Sequence, residues 1–318
     1  MTRYSWMCAG IIWTLLATAS SLFAQNGGQR DAKQDSSSPV MADLDRLIAQ
    51  YAPLQETRPY KGIEITRDLR YGPSERNLLD VFKSTTSNGV LRPVLLFVHG
   101  GGFTAGERQF PRGLPFYDNV AVWAVRHGYI GVNMTYRLAP QFTYPSGAED
   151  VASAVRYLAD EVSRQGGDPN RIYVMGHSAG AVHVAAYLAH PELQGSKRVG
   201  LAGAILVSGA FDIATLPIGD RERAYFGADV SKYADQSSLR GLVASDVRLL
   251  FVNAEHDPPM FLRQADELRG ALDQANKQSI PMLRLNGHSH MSTVMSINTD
   301  ETALSSAIET FISQQSKD

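Results

Sequence analysis

The chain has almost no cysteine, no surplus of charge of one sign and no long apolar run. Cys8 is the only cysteine among 318 residues, which excludes an intramolecular disulfide and any cysteine-built metal cluster. Thirty Lys and Arg face 32 Asp and Glu, for a formal charge of -2. Both signs are scattered along the chain, so the basic stripe by which a nucleic-acid binder is recognised is missing. The longest apolar stretch, Trp6 to Leu16, falls short of the roughly 20 residues that a membrane-spanning helix needs, so no stable membrane anchor is expected. Glycine-rich turns are present, but none has the Gly-Lys-Ser/Thr ending of a phosphate loop.

The apolar stretch follows Arg3 and leads through small residues to Leu22-Phe23-Ala24. This is the pattern of a secretory signal peptide over residues 1–24, cut after Ala24. Cys8 would leave with it; it also sits too early for a lipoprotein cysteine, which belongs at the end of the apolar run. Export without disulfides implies a bacterial periplasm or the medium, with stability drawn from core packing. Of 318 residues, 294 remain once 24 are removed, at a charge of -3 without Arg3, a length suited to one α/β domain. Residues 25–39, QNGGQRDAKQDSSSP, offer no face to bury and are expected to be a disordered lead. Met41, Leu44, Leu47, Ile48 and Tyr51 then recur at helical spacing.

From residue 62 onward, short apolar runs such as PVLLFVHG, RIYVMG, LAGAILVSG and VRLLFVNA alternate with amphipathic stretches such as GAEDVASAVRYLADEVSRQ. Continuous apolar strands separated by helices predict an α/β fold: a mostly parallel, eight-stranded sheet with helices on both faces, in a single domain over 40–318. GIEITRDL and NLLDVFK, joined at Tyr71-Gly72-Pro73-Ser74, predict an antiparallel start to the sheet. The stretch 211–245 is longer than a connection requires and is expected to form a small cap insertion over the carboxyl ends of the strands, where open α/β sheets bind ligands.

Two motifs end strands at that edge. Gly176-His177-Ser178-Ala179-Gly180 follows RIYVM and precedes an Ala/Val-rich helical run. A strand-to-helix turn of this composition exposes the serine, while the helix start favours an anion beside it. His99-Gly100-Gly101-Gly102 ends PVLLFV, and its bare backbone leaves N–H groups free. With the N–H of Ala179, those of Gly101 and Gly102 form a candidate oxyanion hole.

HGGGF, YRLAP at 136–140, GHSAG, a late DPP and a histidine near the end resemble the hormone-sensitive-lipase-like and feruloyl-esterase-like carboxylesterases of the α/β-hydrolase superfamily. The likeness in motif order runs from about residue 62 to the end. It implies a nucleophile at Ser178 and a triad ordered Ser, acid, His, which sets aside His99, His127, His177 and His183. His256 adjoins the acid candidate and comes too early, leaving His288 and His290 in Leu285-Asn286-Gly287-His288-Ser289-His290-Met291. In such families the catalytic histidine commonly follows Asn or Ser and precedes a bulky apolar residue, which selects His290 by resemblance. A metal-binding His-x-His pair is the competing reading, but no partner cluster accompanies it. Asp257, in FVNAEHDPPMF, is the expected acid, with Asp212 as its rival. Arg137 is expected to pair with Glu149 or Asp150 as loop support.

By that resemblance, the expected activity is hydrolysis of short-acyl, acetyl or feruloyl esters, small or polysaccharide-linked, through an acyl-enzyme, with no cofactor and no metal. The alternatives are an arylformamidase or peptidase-type C–N hydrolase with the same triad, and an inactive hydrolase fold that only binds. The sequence does not indicate an oligomeric state.

Overall fold

The computed structural model describes residues 39–86, 88–110, 113–194 and 201–314. The readings of residues 1–24 as a leader and of 25–38 as a disordered lead lie outside these. Helix α1 (Pro39–Tyr51) precedes β1 (Ile63–Arg70), β2 (Leu78–Ser84), β3 (Arg92–Val98), α2 (Asp118–Arg126), β4 (Ile130–Met134), α3 (Ser146–Glu161) and β5 (Gly167–His177). Then come α4 (Ala179–Ala189), β6 (Leu201–Val207), the short helices α5 (Asp220–Phe226), α6 (Tyr233–Gln236) and α7 (Leu239–Ala244), β7 (Leu249–His256), α8 (Pro259–Gln274), β8 (Met282–Ser289), α9 (Ser292–Met295) and α10 (Ala303–Ser313).

The eight strands form one sheet in the order β1-β2-β4-β3-β5-β6-β7-β8. β1 with β2 and β2 with β4 are antiparallel, and every other pair is parallel. The apolar runs are continuous because both faces are covered. In β3, Val94, Leu96 and Val98 face the cluster built with α3, α4 and α8, whereas Leu95 and Phe97 face the one built with α2 and α10. β5 divides likewise, with Ile172 and Val174 on one side and Tyr173 and Met175 on the other. Helix α10 was not anticipated, although Leu304, Ile308, Phe311 and Ile312 give it an apolar stripe at helical spacing and fill the second cluster.

Because β3, β5, β7 and β8 run in one direction, their carboxyl ends share an edge, and the loops after them can meet there. Residues 211–245 fold as the three short helices and 3-10 turns. They lie against the β3 loop through Phe103, which stacks on Tyr225 at 4.7 Å and meets Phe226 edge-on at 5.2 Å.

The antiparallel edge is pinned by buried charge. β1 bulges between Thr66 and Leu69, and Arg67 reaches both Asp80 and Asp118 at 2.7 Å. Arg58 also reaches Asp118 at 2.7 Å, and Tyr60 donates to it at 3.1 Å. Both aspartate side chains are fully buried, so each needs its partners to offset desolvation. Asp118→Ala leaves Arg58 without an acid and Arg67 with Asp80 alone, and is expected to lower the unfolding free energy by about 3 kcal/mol, seen as a lower urea midpoint at constant slope.

Candidate active site

Ser178 sits between β5 and α4 at φ 55 and ψ -123, a region that side-chain-bearing residues rarely occupy and that persists only where the surroundings hold it. Its N–H donates to Val207 O at 2.9 Å, and its carbonyl accepts from Ala181 N at 3.0 Å and Val182 N at 3.2 Å. Neither flanking glycine can carry a Cβ. On Gly176 it would stand 2.6 Å from Ala181 Cα, and on Gly180 it would collide with Val98 O. The turn is sharp because two backbones touch where those side chains would be. It leaves Ser178 partly exposed and the N–H of Ala179, first in α4, without an intrahelical acceptor.

The β3 loop faces the serine. A Cβ on Gly100 would lie 3.0 Å from Ser178 Cβ, and one on Gly101 would run into Ala105 O. Gly101 and Gly102 take φ 130 and 58, conformations open to glycine at little cost. His99 braces this loop from beneath. It is wholly buried, stacks on Tyr136 at 4.4 Å and bonds through Nδ1 to Gly100 O at 2.6 Å, while Tyr136 OH donates to His99 O at 2.9 Å. Burial pulls its pKa down to about 3, so it is a neutral structural imidazole.

The structure brings His290 to Asp257. Nδ1 lies 2.7 Å from Asp257 Oδ1, so with the proton on Nδ1 the lone pair of Nε2 is free to act as a base. Asp257 is buried, and its other oxygen accepts from Ser208 Oγ and from Ala254 N, both at 2.7 Å. Burial alone would raise its pKa. The bond and charge of His290, with the bonds from Ser208 and Ala254, outweigh burial and hold it below the usual carboxylate range. Phe261 of α8 stacks on the His290 ring at 4.6 Å and 21°. His177 Nε2 bonds to His290 O at 2.9 Å. Because His177 is pushed down to about 3, chiefly by burial, it donates there as a neutral ring. Among the described residues no hydrogen bond joins the Ser178 hydroxyl to His290, an open spacing common in catalytic pairs before substrate binds.

The other candidates go elsewhere. β8 runs through Ser289, so His288 is on the strand rather than in a loop, bonding Ser292 Oγ at 3.2 Å and standing 3.8 Å from Glu301. His288 and His290 therefore do not converge as a metal pair. Asp212 accepts from Ala214 N and Ser237 Oγ, each at 3.1 Å, as the cap of a short turn. Arg137 pairs with both Asp150 and Glu149 at 2.9 Å. Ser208, Phe261 and His177 were not foreseen as parts of the site. Of these only Ser208, standing directly after the apolar run LAGAILV, left a positional signal. Helix α1 also supports this edge: Ser289 Oγ donates to Asp43 at 3.0 Å, beside His290.

A serine raised on a strained turn at the end of a central parallel strand, an imidazole–carboxylate pair on two later loops and a ring of free N–H groups opposite together define an α/β hydrolase. The chain belongs to the α/β-hydrolase-fold family, which it matches over residues 95–291. It is 41% identical over 98 residues to a carboxylesterase of Mycobacterium tuberculosis, covering 30% of this chain and 28% of that one. It is 35% identical over 123 residues to a probable isoprenylcysteine α-carbonyl methylesterase of Arabidopsis thaliana, covering 39% and 27%. These alignments thus span under a third of either relative. Esterase B from Lactobacillus rhamnosis superposes with a TM-score of 0.69 over 86% of this chain and 93% of that one, at 19% identity, a likeness of fold.

Proposed function

We propose that the protein hydrolyses carboxylic esters through an acyl-serine intermediate. The observation that carries this reading is the imidazole of His290, held by Asp257 on the edge where Ser178 stands. Ser178 Oγ attacks the ester carbonyl carbon as His290 Nε2 takes its proton, and the carbonyl oxygen becomes an oxyanion among the N–H groups of Gly101, Gly102 and Ala179. Each donor in such a hole contributes roughly 3 kcal/mol. The C–O bond to the alcohol breaks as His290 gives the proton to the leaving oxygen. Water, losing a proton to the same imidazole, then attacks the acyl-serine, and the acyl C–Oγ bond breaks as His290 returns that proton to Ser178 Oγ and the acid leaves.

The apolar surroundings favour short-acyl or aromatic esters. Phe103, Ala179, Leu216, Ile218, Met260 and Phe261 belong to one cluster beside the turn, and the names of the relatives support ester cleavage in general. The test has two parts. A fluorophosphonate should modify one residue, recovered by peptide mass spectrometry as Ser178. In parallel, 4-nitrophenyl acetate and methyl ferulate should turn over much faster than an N-formyl anilide. Labelling without ester turnover, or preference for the anilide, would overturn the ester reading.

A further inference from the structure

Arg221, on the first turn of α5, lies over the oxyanion loop. A Cβ on Gly102 would stand 2.9 Å from Arg221 Cδ, 3.3 Å from Nη1 and 3.7 Å from Nε. The guanidinium is therefore beside the loop whose N–H groups face the reacting carbonyl, and the residue is exposed.

Its bonding differs from that of the arginines that brace the neighbouring loops. Arg76 is fixed by Glu107 and by the carbonyls of Tyr136 and Gly106. Arg137 is fixed by Asp150 and Glu149, and Arg108 by Asp68 and Asp80. Arg221 has no hydrogen bond or ion pair with any described residue. Of the two acids beside it in sequence, Glu222 is turned back to accept from Gly219 N at 3.0 Å, and Asp220 makes no ion pair with it among the described residues. A planar cation with five donors, unpaired beside Gly102 of the oxyanion loop, has bonding capacity that no described residue uses.

We propose that Arg221 is a specificity residue, and that the substrates served best are esters carrying a carboxylate a few carbons from the scissile carbonyl. This rests on the ester reading above and names its substrate class. The carbonyl oxygen enters the oxyanion hole, and a carboxylate on the same chain reaches the guanidinium as a charge-assisted pair, bidentate where geometry allows. The partner is a carboxylate rather than a second cation site or a metal, because guanidinium only donates.

The test compares mono(4-nitrophenyl) glutarate with 4-nitrophenyl valerate, which have acyl chains of equal length and differ by a carboxylate in place of a methyl group. The wild-type protein should favour the glutarate, and 1 M NaCl should narrow that preference. Arg221→Met, which keeps the apolar stem over Gly102, should lower the glutarate-to-valerate ratio of kcat/KM about tenfold, mainly through KM for the glutarate. Arg221→Lys should restore part of it. An arginine that only steadied the loop, or only helped the oxyanion, would depress both esters alike, and an unchanged ratio in Arg221→Met overturns the proposal. Should neither ester turn over, the ester reading fails by itself. Calorimetric titration with monomethyl glutarate then decides: tighter binding to wild type than to Arg221→Met supports the subsite, and equal or absent binding overturns it.

Discussion

His290→Ala should lower kcat/KM for 4-nitrophenyl acetate by about four orders of magnitude, the usual cost of losing the general base of a serine triad, whereas His288→Ala should stay within about threefold. The two histidines are two residues apart and both buried, so composition and exposure do not separate them. Their partners do. His290 has the carboxylate of Asp257 at 2.7 Å, which fixes the tautomer that leaves Nε2 unprotonated and stabilises the imidazolium once formed. His288 has a serine hydroxyl at 3.2 Å and a half-exposed glutamate at 3.8 Å, partners too weak to orient a base. Steady-state kinetics on both variants, with circular dichroism to verify the fold, reads the contrast. A comparable collapse in both would mean that the whole end of β8 and the turn after it, not one ring, set the rate.

What was legible in the sequence was local. GHSAG and HGGG can be read because each confines its requirements to a few adjacent residues: glycines where two backbones touch, and a serine or bare N–H groups between them. The apolar strands were legible for a similar reason, since two-sided burial leaves no alternation to disguise. What escaped was relational. Asp118 finds Arg58 and Arg67 at separations of 60 and 51 residues, and nothing near any of the three announces the others. Ser208 supports Asp257 from 49 residues away, a role that exists only because β6 and β7 are neighbours in the sheet. The limit of β8 was misjudged because Asn286-Gly287 has the composition of a turn, yet the β7–β8 pairing continues to Ser289 opposite His256. Arg221 gave no signal at all, because an arginine within Asp-Arg-Glu-Arg is indistinguishable from any solvated helix face until the cap is folded onto Gly102.

The same relational packing predicts how the protein meets acid. Below pH 6.5 its stability should fall by about 4 kcal/mol per pH unit. His99, His177 and His183 are each wholly buried, and burial pulls the pKa of each down to about 3. Geometry gives the reason: His99 Nε2, His177 Nδ1 and His183 Nε2 have no hydrogen-bond partner among the described residues, and His183 is enclosed by Phe103, Tyr136 and Tyr225. In the unfolded chain the same rings titrate near 6.5. Between about pH 6.5 and 3 the unfolded state therefore binds three protons that the native state refuses, and because the unfolded state holds more protons, stability rises with pH and is lost as pH falls. Each proton contributes about 1.4 kcal/mol per pH unit, so moving from pH 7 to 5 costs about 6 kcal/mol, comparable to the whole stability of many domains. Asp257, held below its usual range, pushes in the same direction only at lower pH, since its stabilisation is lost as pH drops through its native value. Urea unfolding at pH 7, 6 and 5 should show this steep decline, and His183→Phe, which keeps a ring among the three aromatics, should flatten it by about one third. A slope near zero across that interval would mean that the native interior admits protons, in which case water or local opening must reach the ring of His99 beneath the oxyanion loop.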